Sequence, residues 1–300
     1  MIGGFVIEYA RLRPGRGFAP MQALLYYVQR LTTPYWLRAM LSGVIARFLA
    51  LRHPSLVSNE AGRSELAQAL RSNGLVSLPS LVTPEWADKV LAYLQGKDVV
   101  AKGQAIPLDR VPSDVTIADY SLATVLSCPL IMALINDPEV LSLASAYLGC
   151  CPTLSSVGLR WSFPSRSEAS DVQRFHRDPD DWRFVKLFVY LTDVDESSGP
   201  HIYVQGSHRS DLRVRARPYD LSYIERKYGL DSTRMMLGRR GTAFMADTVG
   251  IHMGKPPTER PRLMLIAQYS LLPVYAFKYR PLALLPKPDV NPYVNRLIVS

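Results

Sequence analysis

Residues 173–181 read QRFHRDPDD, which sets an imidazole and a carboxylate, His176 and Asp178, two positions apart and just ahead of Pro179. On extended backbone, residues i and i+2 project to the same side. The pair therefore shares one space, and Arg177 points away from it. Taken alone, such a tripeptide is more often a structural salt bridge. As metal ligands, two groups are too few for a first-row ion. Two histidines and one carboxylate on one face of an octahedron leave three positions open, the arrangement with which non-haem iron(II) oxygenases work. Those positions admit a chelating cosubstrate and dioxygen. The chain has five histidines, and His201, His208 and His252 lie downstream within reach. His252 stands in TVGIHMG, and ten residues on comes Arg262, at the head of RLMLIAQYSLL. A guanidinium is planar and permanently charged, so it can grip a carboxylate through two parallel hydrogen bonds. A dicarboxylate that chelates iron at one end needs such a cation at the other. His208, in QGSHRS, reads as a brace for a turn, and His201, after SSGP, as a structural residue at a strand start.

The elements that must position these groups change character along the chain. TPEWADKVLAYLQG is a well-marked helix, with Thr83 as cap, Pro84 in the first position and Gly96 past the end. A helix pair near 130–136 and 138–148 follows, divided by NDPE and closed by Gly149. From residue 154 the segments SVGLRWSF, RFVKLFVYLT, HIYVQ, TAFMA, TVGIHMG and RLMLIAQYSLL are short, rich in β-branched and aromatic residues, and separated by turns. Helices first and strands afterwards predict an α+β domain whose second half is a sandwich or barrel. Within RFVKLFVYLT, Val185, Leu187, Val189 and Leu191 form one apolar face. Phe184, Lys186, Phe188 and Tyr190 form the other, a mixed face that suits a polar cavity, with Lys186 and Tyr190 either lining a site there or, for Lys186, reaching solvent. Gln173, three residues before His176, is a further candidate. Asp180 and Asp181 read as solvated or turn-forming carboxylates.

A chain of 300 residues with 48% hydrophobic residues can bury a substantial core. Lys plus Arg number 35 against 26 Asp plus Glu, an excess of nine that favours anionic partners in general. No nucleic-acid recognition motif accompanies that charge, so nucleic acid is not expected as a partner. Cys128, Cys150 and Cys151 have neither disulfide-framework nor zinc-finger spacing and read as buried, reduced thiols, hence a cytoplasmic setting. No secretory signal or membrane span is evident; the longest uncharged run, Val140 to Leu159, is broken by Gly149 and Pro152. Residues 1–53 hold seven arginines and one acid, Glu8, a net charge of +6 on apolar segments that read as two helices. Either these helices pack on the main domain with Arg30, Arg38, Arg47 and Arg52 reaching solvent, or they lie on an anionic membrane surface at its inner, cytoplasmic face.

FHRDPDDWRFVKLFVYLTDVDESSGPHIYVQGSHR, with GTAFMADTVGIHMGKPPTERPR after it, resembles the phytanoyl-CoA dioxygenase family of Fe(II)/2-oxoglutarate-dependent oxygenases, over roughly residues 62–272. The resemblance implies a double-stranded β-helix, a jelly-roll or cupin-like barrel, with flanking helices. It further implies Fe(II), 2-oxoglutarate as cosubstrate and O2, with His176, Asp178 and His252 as iron ligands and Arg262 on the distal carboxylate. Phe188 matches a family position that packs near 2-oxoglutarate. The family's arginine commonly lies one residue further past the distal histidine, and Arg260 is a competitor; Arg262 is preferred because it begins a strand. Halogenating relatives lack the carboxylate, which Asp178 supplies here. The expected organisation is a helical N-terminal extension, 1–61, and an oxygenase domain, 62–300, with its barrel mainly in 154–272. The expected activity is hydroxylation of an unactivated C–H bond in a small-molecule, lipid-linked or surface-glycan sugar substrate. Desaturation, epimerisation or ring closure by the same cofactors, or a non-catalytic jelly roll that binds a ligand, are the alternatives.

Overall fold

The computed structural model describes residues 8–54, 56, 61–164, 173–213, 218–285 and 288–300. In chain order the first half forms β1 (Glu8–Tyr9), α1 (Pro20–Leu31), α2 (Tyr35–Arg52), α3 (Ala61–Asn73), β2 (Leu75–Ser77), α4 (Pro84–Leu94) and β3 (Val99–Ala101). Then come β4 (Gln104–Ile106), β5 (Ile117–Tyr120), α5 (Leu122–Leu126), α6 (Pro129–Ile135) and α7 (Pro138–Leu148). The second half begins with β6 (Thr153–Ser162), β7 (Phe184–Tyr190), β8 (His201–Val204), α8 (Leu221–Tyr228) and β9 (Thr233–Met236). It ends with β10 (Ala243–Ala246), β11 (His252–Gly254), β12 (Arg262–Ser270), β13 (Phe277–Lys278) and α9 (Pro292–Asn295).

Local chemistry sets several of these limits. The Thr83 side chain accepts from the Trp86 amide with Pro84 at the first helical position, and Asp137 does the same for Glu139 ahead of Pro138. Such caps satisfy amides that have no partner within the helix and are worth about 1 kcal/mol each. Gly149, at φ 84°, closes α7 in the left-handed conformation. The stretch 53–64, with Pro, Asn, Gly and Ser clustered, reads from its sequence as a linker before a helix at Ser64; its residues 55 and 57–60 lie outside the described residues, and α3 already begins at Ala61.

Two antiparallel sheets make the barrel. The larger has strand order β2-β10-β7-β12-β6-β5-β3-β4 and the smaller β11-β8-β9. Their inner faces meet where Phe188, Tyr190 and Phe244 of the larger sheet pack with Tyr203 of the smaller. This is the jelly roll with flanking helices. Four strands of the larger sheet, β2 to β5, arise within the helical half. The β3–β4 hairpin turns on Lys102 and Gly103, both at positive φ, a turn without the Asn-Gly pair that would advertise it.

The centre of the larger sheet is sorted by the two-residue period of a strand. On β12, Leu263, Leu265, Ala267 and Tyr269 enter the main core under the helices, while Arg262, Met264, Ile266 and Gln268 face a cavity inside the barrel. On β7, Val185, Leu187 and Val189 take the core side, and Lys186 and Phe188 the cavity side. On β6, Leu159 and Trp161 take the core side, and Ser156, Arg160 and Ser162 the cavity side. An irregularity opposite Gln268 and Tyr269 lets both Leu154 and Val157 stay in the core.

The N-terminal segment is tied to this barrel. β1 pairs with β13, the Thr33 carbonyl accepts from the Leu212 amide at 2.9 Å, and Asp211 accepts from the Tyr35 amide at 2.7 Å. Of the arginines read as reaching solvent, Arg38 turns inward. It is buried and donates to the carbonyls of Asp181 (3.0 Å) and Trp182 (3.4 Å), and burial lowers its pKa. Among the described residues, no helix is long and apolar enough to cross a membrane.

Candidate active site

The segment carrying His176 and Asp178 runs beside the one carrying His252. The His176 amide donates to the His252 carbonyl (2.9 Å), the His252 amide to the His176 carbonyl (3.0 Å), and the Asp178 amide to the Thr248 carbonyl (2.8 Å). Arg177 points to the other side, as the extended reading requires. There it donates to the carbonyls of Ser207 (2.9 Å) and Val249 (2.8 Å) and to the Ser210 hydroxyl (2.7 Å). One arginine thus pins both strips together from behind. Gly250 leaves room for the Tyr203 hydroxyl of β8, with which a Cβ there would collide.

Three side chains converge in front. His176 Nε2 lies 3.5 Å from Asp178 Oδ1 and His252 Nε2 3.3 Å from Asp178 Oδ2, and candidate ligand atoms of the three lie within 4.8 Å of one another. The other ring nitrogens face main-chain carbonyls, His176 Nδ1 at 2.7 Å from Arg174 and His252 Nδ1 at 2.9 Å from Gly250. A carbonyl only accepts, so the protons belong on Nδ1 and both Nε2 lone pairs face the shared space. That tautomer is what a metal requires. Burial and then the neighbouring His176 lower the pKa of His252. Burial also works against a charged His176, but Asp178 outweighs it and the net shift is upward. Asp178 itself is held well below the usual carboxylate range; burial opposes this, but Lys186 and His252 prevail.

The cavity in front of these groups measures about 470 Å³, within the range of small-molecule sites. His176, Asp178, His252, Gln173, Lys186, Phe188 and Arg262 all line it. Arg262 is 3% exposed; it donates to the Gly199 carbonyl and, at 3.3 Å, to the Ser162 hydroxyl, while its Nε is buried without a partner. Burial lowers its pKa, the mark of a cation short of an anion. Arg260, the competitor, is 60% exposed and ion-paired with Asp195. Lys186 Nζ sits 2.7 Å from Asp178 Oδ2 and 3.4 Å from Asp180 Oδ2.

Several expectations need correction. Tyr190 does not line the cavity. Its ring packs between the sheets, and its hydroxyl donates to the Met236 carbonyl and accepts from the His201 amide, each at 3.0 Å. His201, expected to be structural, lies in the cavity wall, 5.4 Å ring to ring from His252 and 4.7 Å from Phe188, with Nε2 buried and unpaired. Burial, then the neighbouring His252 and the Arg262 guanidinium, hold its pKa well below normal, so it is neutral. Asp180 lines the cavity rather than a solvated turn, and Asp181 is fully buried. His208 does brace a turn, with Nε2 2.9 Å from the Arg71 carbonyl. Arg160 lines the cavity but is engaged by Asp119 through Nε (2.8 Å) and Nη2 (3.0 Å). Tyr9, Leu12, Tyr26 and Arg30, all from the N-terminal segment, form part of the wall. Sequence reasoning did not find them.

The sequence profile of the family described as Phytanoyl-CoA dioxygenase (PhyH) matches residues 70–264. No curated protein matches the chain. Among solved structures it is similar to EctD from S. alaskensis, crystallised with 2-oxoglutarate and 5-hydroxyectoine, at 18% identity and TM-score 0.53, covering 82% of this chain and 88% of that one. It is also similar to the epimerase SnoN in complex with Fe3+, alpha ketoglutarate and nogalamycin RO, at 19% identity and TM-score 0.51, covering 70% and 83%. The non-haem alpha-ketoglutarate-dependent carbocyclase SnoK from nogalamycin biosynthesis gives 19% identity, TM-score 0.50 and coverage of 68% and 82%. At these identities the likeness is one of fold.

Proposed function

The chain belongs to the phytanoyl-CoA dioxygenase family, and from that premise we propose that it is an Fe(II)- and 2-oxoglutarate-dependent hydroxylase. One observation carries this reading. Two imidazole nitrogens and a carboxylate converge on a cavity that also holds a buried guanidinium with an unpaired donor. Those residues fit the group the family implies. His176, Asp178 and His252 would hold iron, and Arg262 the far carboxylate of 2-oxoglutarate. Bound iron, with 2-oxoglutarate and dioxygen, supplies the oxidising power for an unactivated C–H bond.

The chain's own residues do the rest. The Nδ1–H bonds to Arg174 and Gly250 fix both imidazoles in one tautomer and one orientation. Lys186 steadies the Asp178 carboxylate through Oδ2, and Phe188, stacked 5.0 Å from Phe244, makes a dry, rigid flank. A low-dielectric wall strengthens the Arg262 contact with a carboxylate and excludes water from the reacting carbon. The substrate is a small molecule of lipid-linked or surface-glycan sugar type. The protein works in the cytoplasm, in peripheral contact with an anionic membrane through residues 1–53.

The test is a screen of such substrates with Fe(II), 2-oxoglutarate and 18O2, scored by succinate release and product mass. A hydroxylase adds one labelled oxygen atom. Loss of two hydrogens, or a product of unchanged mass, would instead mean desaturation, ring closure or epimerisation. Failure of the intact protein to bind Fe(II) or 2-oxoglutarate would remove the reading altogether.

A further inference from the structure

Helices α1 and α2 leave most of their large apolar side chains on the solvent side. The side of α2 turned to the barrel presents Arg38, Ser42 and Ala46, and Ile45 and Leu49 pack on the main core beside them. Its solvent side carries Trp36, Met40, Val44, Phe48 and Leu51, between 51% and 82% exposed. Their spacing, i, i+4, i+8, i+12 and i+15, makes one stripe along the helix. On α1, Met21, Leu24, Val28 and Leu31 repeat the pattern at i, i+3, i+7 and i+10, between 47% and 66% exposed. Of the nineteen exposed large apolar side chains among the described residues, eleven fall between residues 21 and 51. Chance scatter of single exposed residues does not place more than half of them on a tenth of a chain; a surface meant to be covered does.

The charges around the stripes say what covers it. Neither helix contains an aspartate or a glutamate, while Arg47 and Arg52 are exposed on α2 and Arg13 and Arg16 on the loop before α1. An apolar face on helices that carry arginines and no acid of their own matches the boundary of a bilayer with anionic headgroups. A second copy of the same face would set arginines against arginines. The opposite side of α1 faces the catalytic cavity. Tyr26 and Arg30 line it, with the Arg30 guanidinium 4.6 Å above the Tyr26 ring and its Nε buried and unpaired. A helix with its side chains is about 10–12 Å across, so the apolar stripe and the cavity wall are two sides of one thin partition.

We propose that the exposed face of α1 and α2 is a docking surface for an anionic phospholipid bilayer, and that docking sets the mouth of the catalytic cavity at the membrane surface. The substrate is then an amphiphile whose polar part enters past Tyr26 and Arg30 while its apolar part stays in the lipid. This last step rests on the hydroxylase reading; the docking does not.

The experiment uses the full-length protein, since removing α1 would take away a cavity wall and removing α2 would take away the buried Arg38. Flotation with phosphatidylcholine vesicles, with and without phosphatidylglycerol, gives the partition. Brominated lipids report which tryptophan enters. The expected result is association with the anionic vesicles, quenching that disappears in Trp36→Phe, and weakening by salt as the Debye length falls from about 10 Å at 0.1 M to about 3 Å at 1 M. Val44→Glu with Phe48→Glu should lower the partition at least about tenfold and leave Fe(II) and 2-oxoglutarate binding unchanged. Absence of association by the wild-type chain, or quenching that persists without Trp36, overturns the proposal. So does a concentration-dependent dimer that Val44→Glu disrupts in the absence of vesicle binding, which would assign the face to a second copy. The wild-type quenching measurement stands even if the double variant fails to fold, and retained metal binding separates loss of docking from loss of the site.

Discussion

Arg262→Ala should weaken 2-oxoglutarate binding about 10- to 150-fold while Arg260→Ala changes it little. Arg262 spends one Nη on the Gly199 carbonyl and the other on a 3.3 Å contact with Ser162, which leaves Nε and the weakly held Nη2 for a carboxylate. A hydrogen bond to a charged group is worth about 1.5–3 kcal/mol net, and each 1.4 kcal/mol is tenfold in affinity. The site is buried, so the lost contact is not replaced by bulk water. Arg260 is 60% exposed and already paired with Asp195; a surface pair of that kind contributes about 0–1 kcal/mol and nothing to a ligand in the barrel. The assay is calorimetric titration of 2-oxoglutarate into anaerobic protein loaded with a redox-inert divalent metal. Arg262→Lys keeps the charge but loses the fork, and should fall between wild type and alanine. Thermal unfolding of each variant guards against a trivial cause, since the Gly199 carbonyl loses its donor. If Arg262→Ala keeps its affinity within about twofold, below one hydrogen bond's worth, the assignment fails. If Arg260→Ala is the weaker binder, the cation was placed on the wrong side of Pro261.

His176→Ala or His252→Ala should abolish stoichiometric Fe(II) binding in an anaerobic titration, whereas His208→Ala should keep it and lower unfolding stability by about 1–3 kcal/mol, because the Arg71 carbonyl loses its partner. Asp181 makes stability depend on pH. Burial raises its pKa to about 7 although its carboxylate accepts from the Trp182 (2.7 Å) and Leu272 (2.8 Å) amides. With an unfolded pKa of about 3.9, the folded state keeps its proton longer. Its contribution is therefore full below about pH 4, falls by up to about 4 kcal/mol as pH rises to about 7, and is flat above. Denaturant unfolding from pH 4 to 8 should show Asp181→Asn losing that slope, and identical slopes would place the ionisation elsewhere.

What could be read from the chain beforehand was what local geometry determines. His176 and Asp178 share a side because extended backbone alternates, and Arg262 faces the cavity because it falls on the even positions of β12 with Met264, Ile266 and Gln268. Both inferences need only a neighbour two residues away. His201 and Asp180 were misread because their surroundings come from elsewhere in the chain: His201 lies against His252, fifty-one positions on, and Asp180 meets Lys186 on a strand that has yet to begin. The N-terminal helices show the same limit from the other side. Their sequences announce amphipathic helices rich in arginine, but not which face the barrel takes. In most helices hydrophobicity settles that question, since the apolar side goes inward. Here the barrel's rim offers carbonyls at Asp181 and Trp182 and a hydroxyl-seeking arginine, Arg183, whose Nη2 donates to Ser42 at 2.8 Å. It is met by Arg38 and Ser42, and the apolar stripe is left outside. Hydrogen-bond matching with a distant surface, together with Ile45, Ala46 and Leu49 packed on the core, thus sets the orientation of α2. The same choice, carried through the short turn to α1, puts Tyr26 and Arg30 in the cavity wall with Leu24 and Val28 turned away from it.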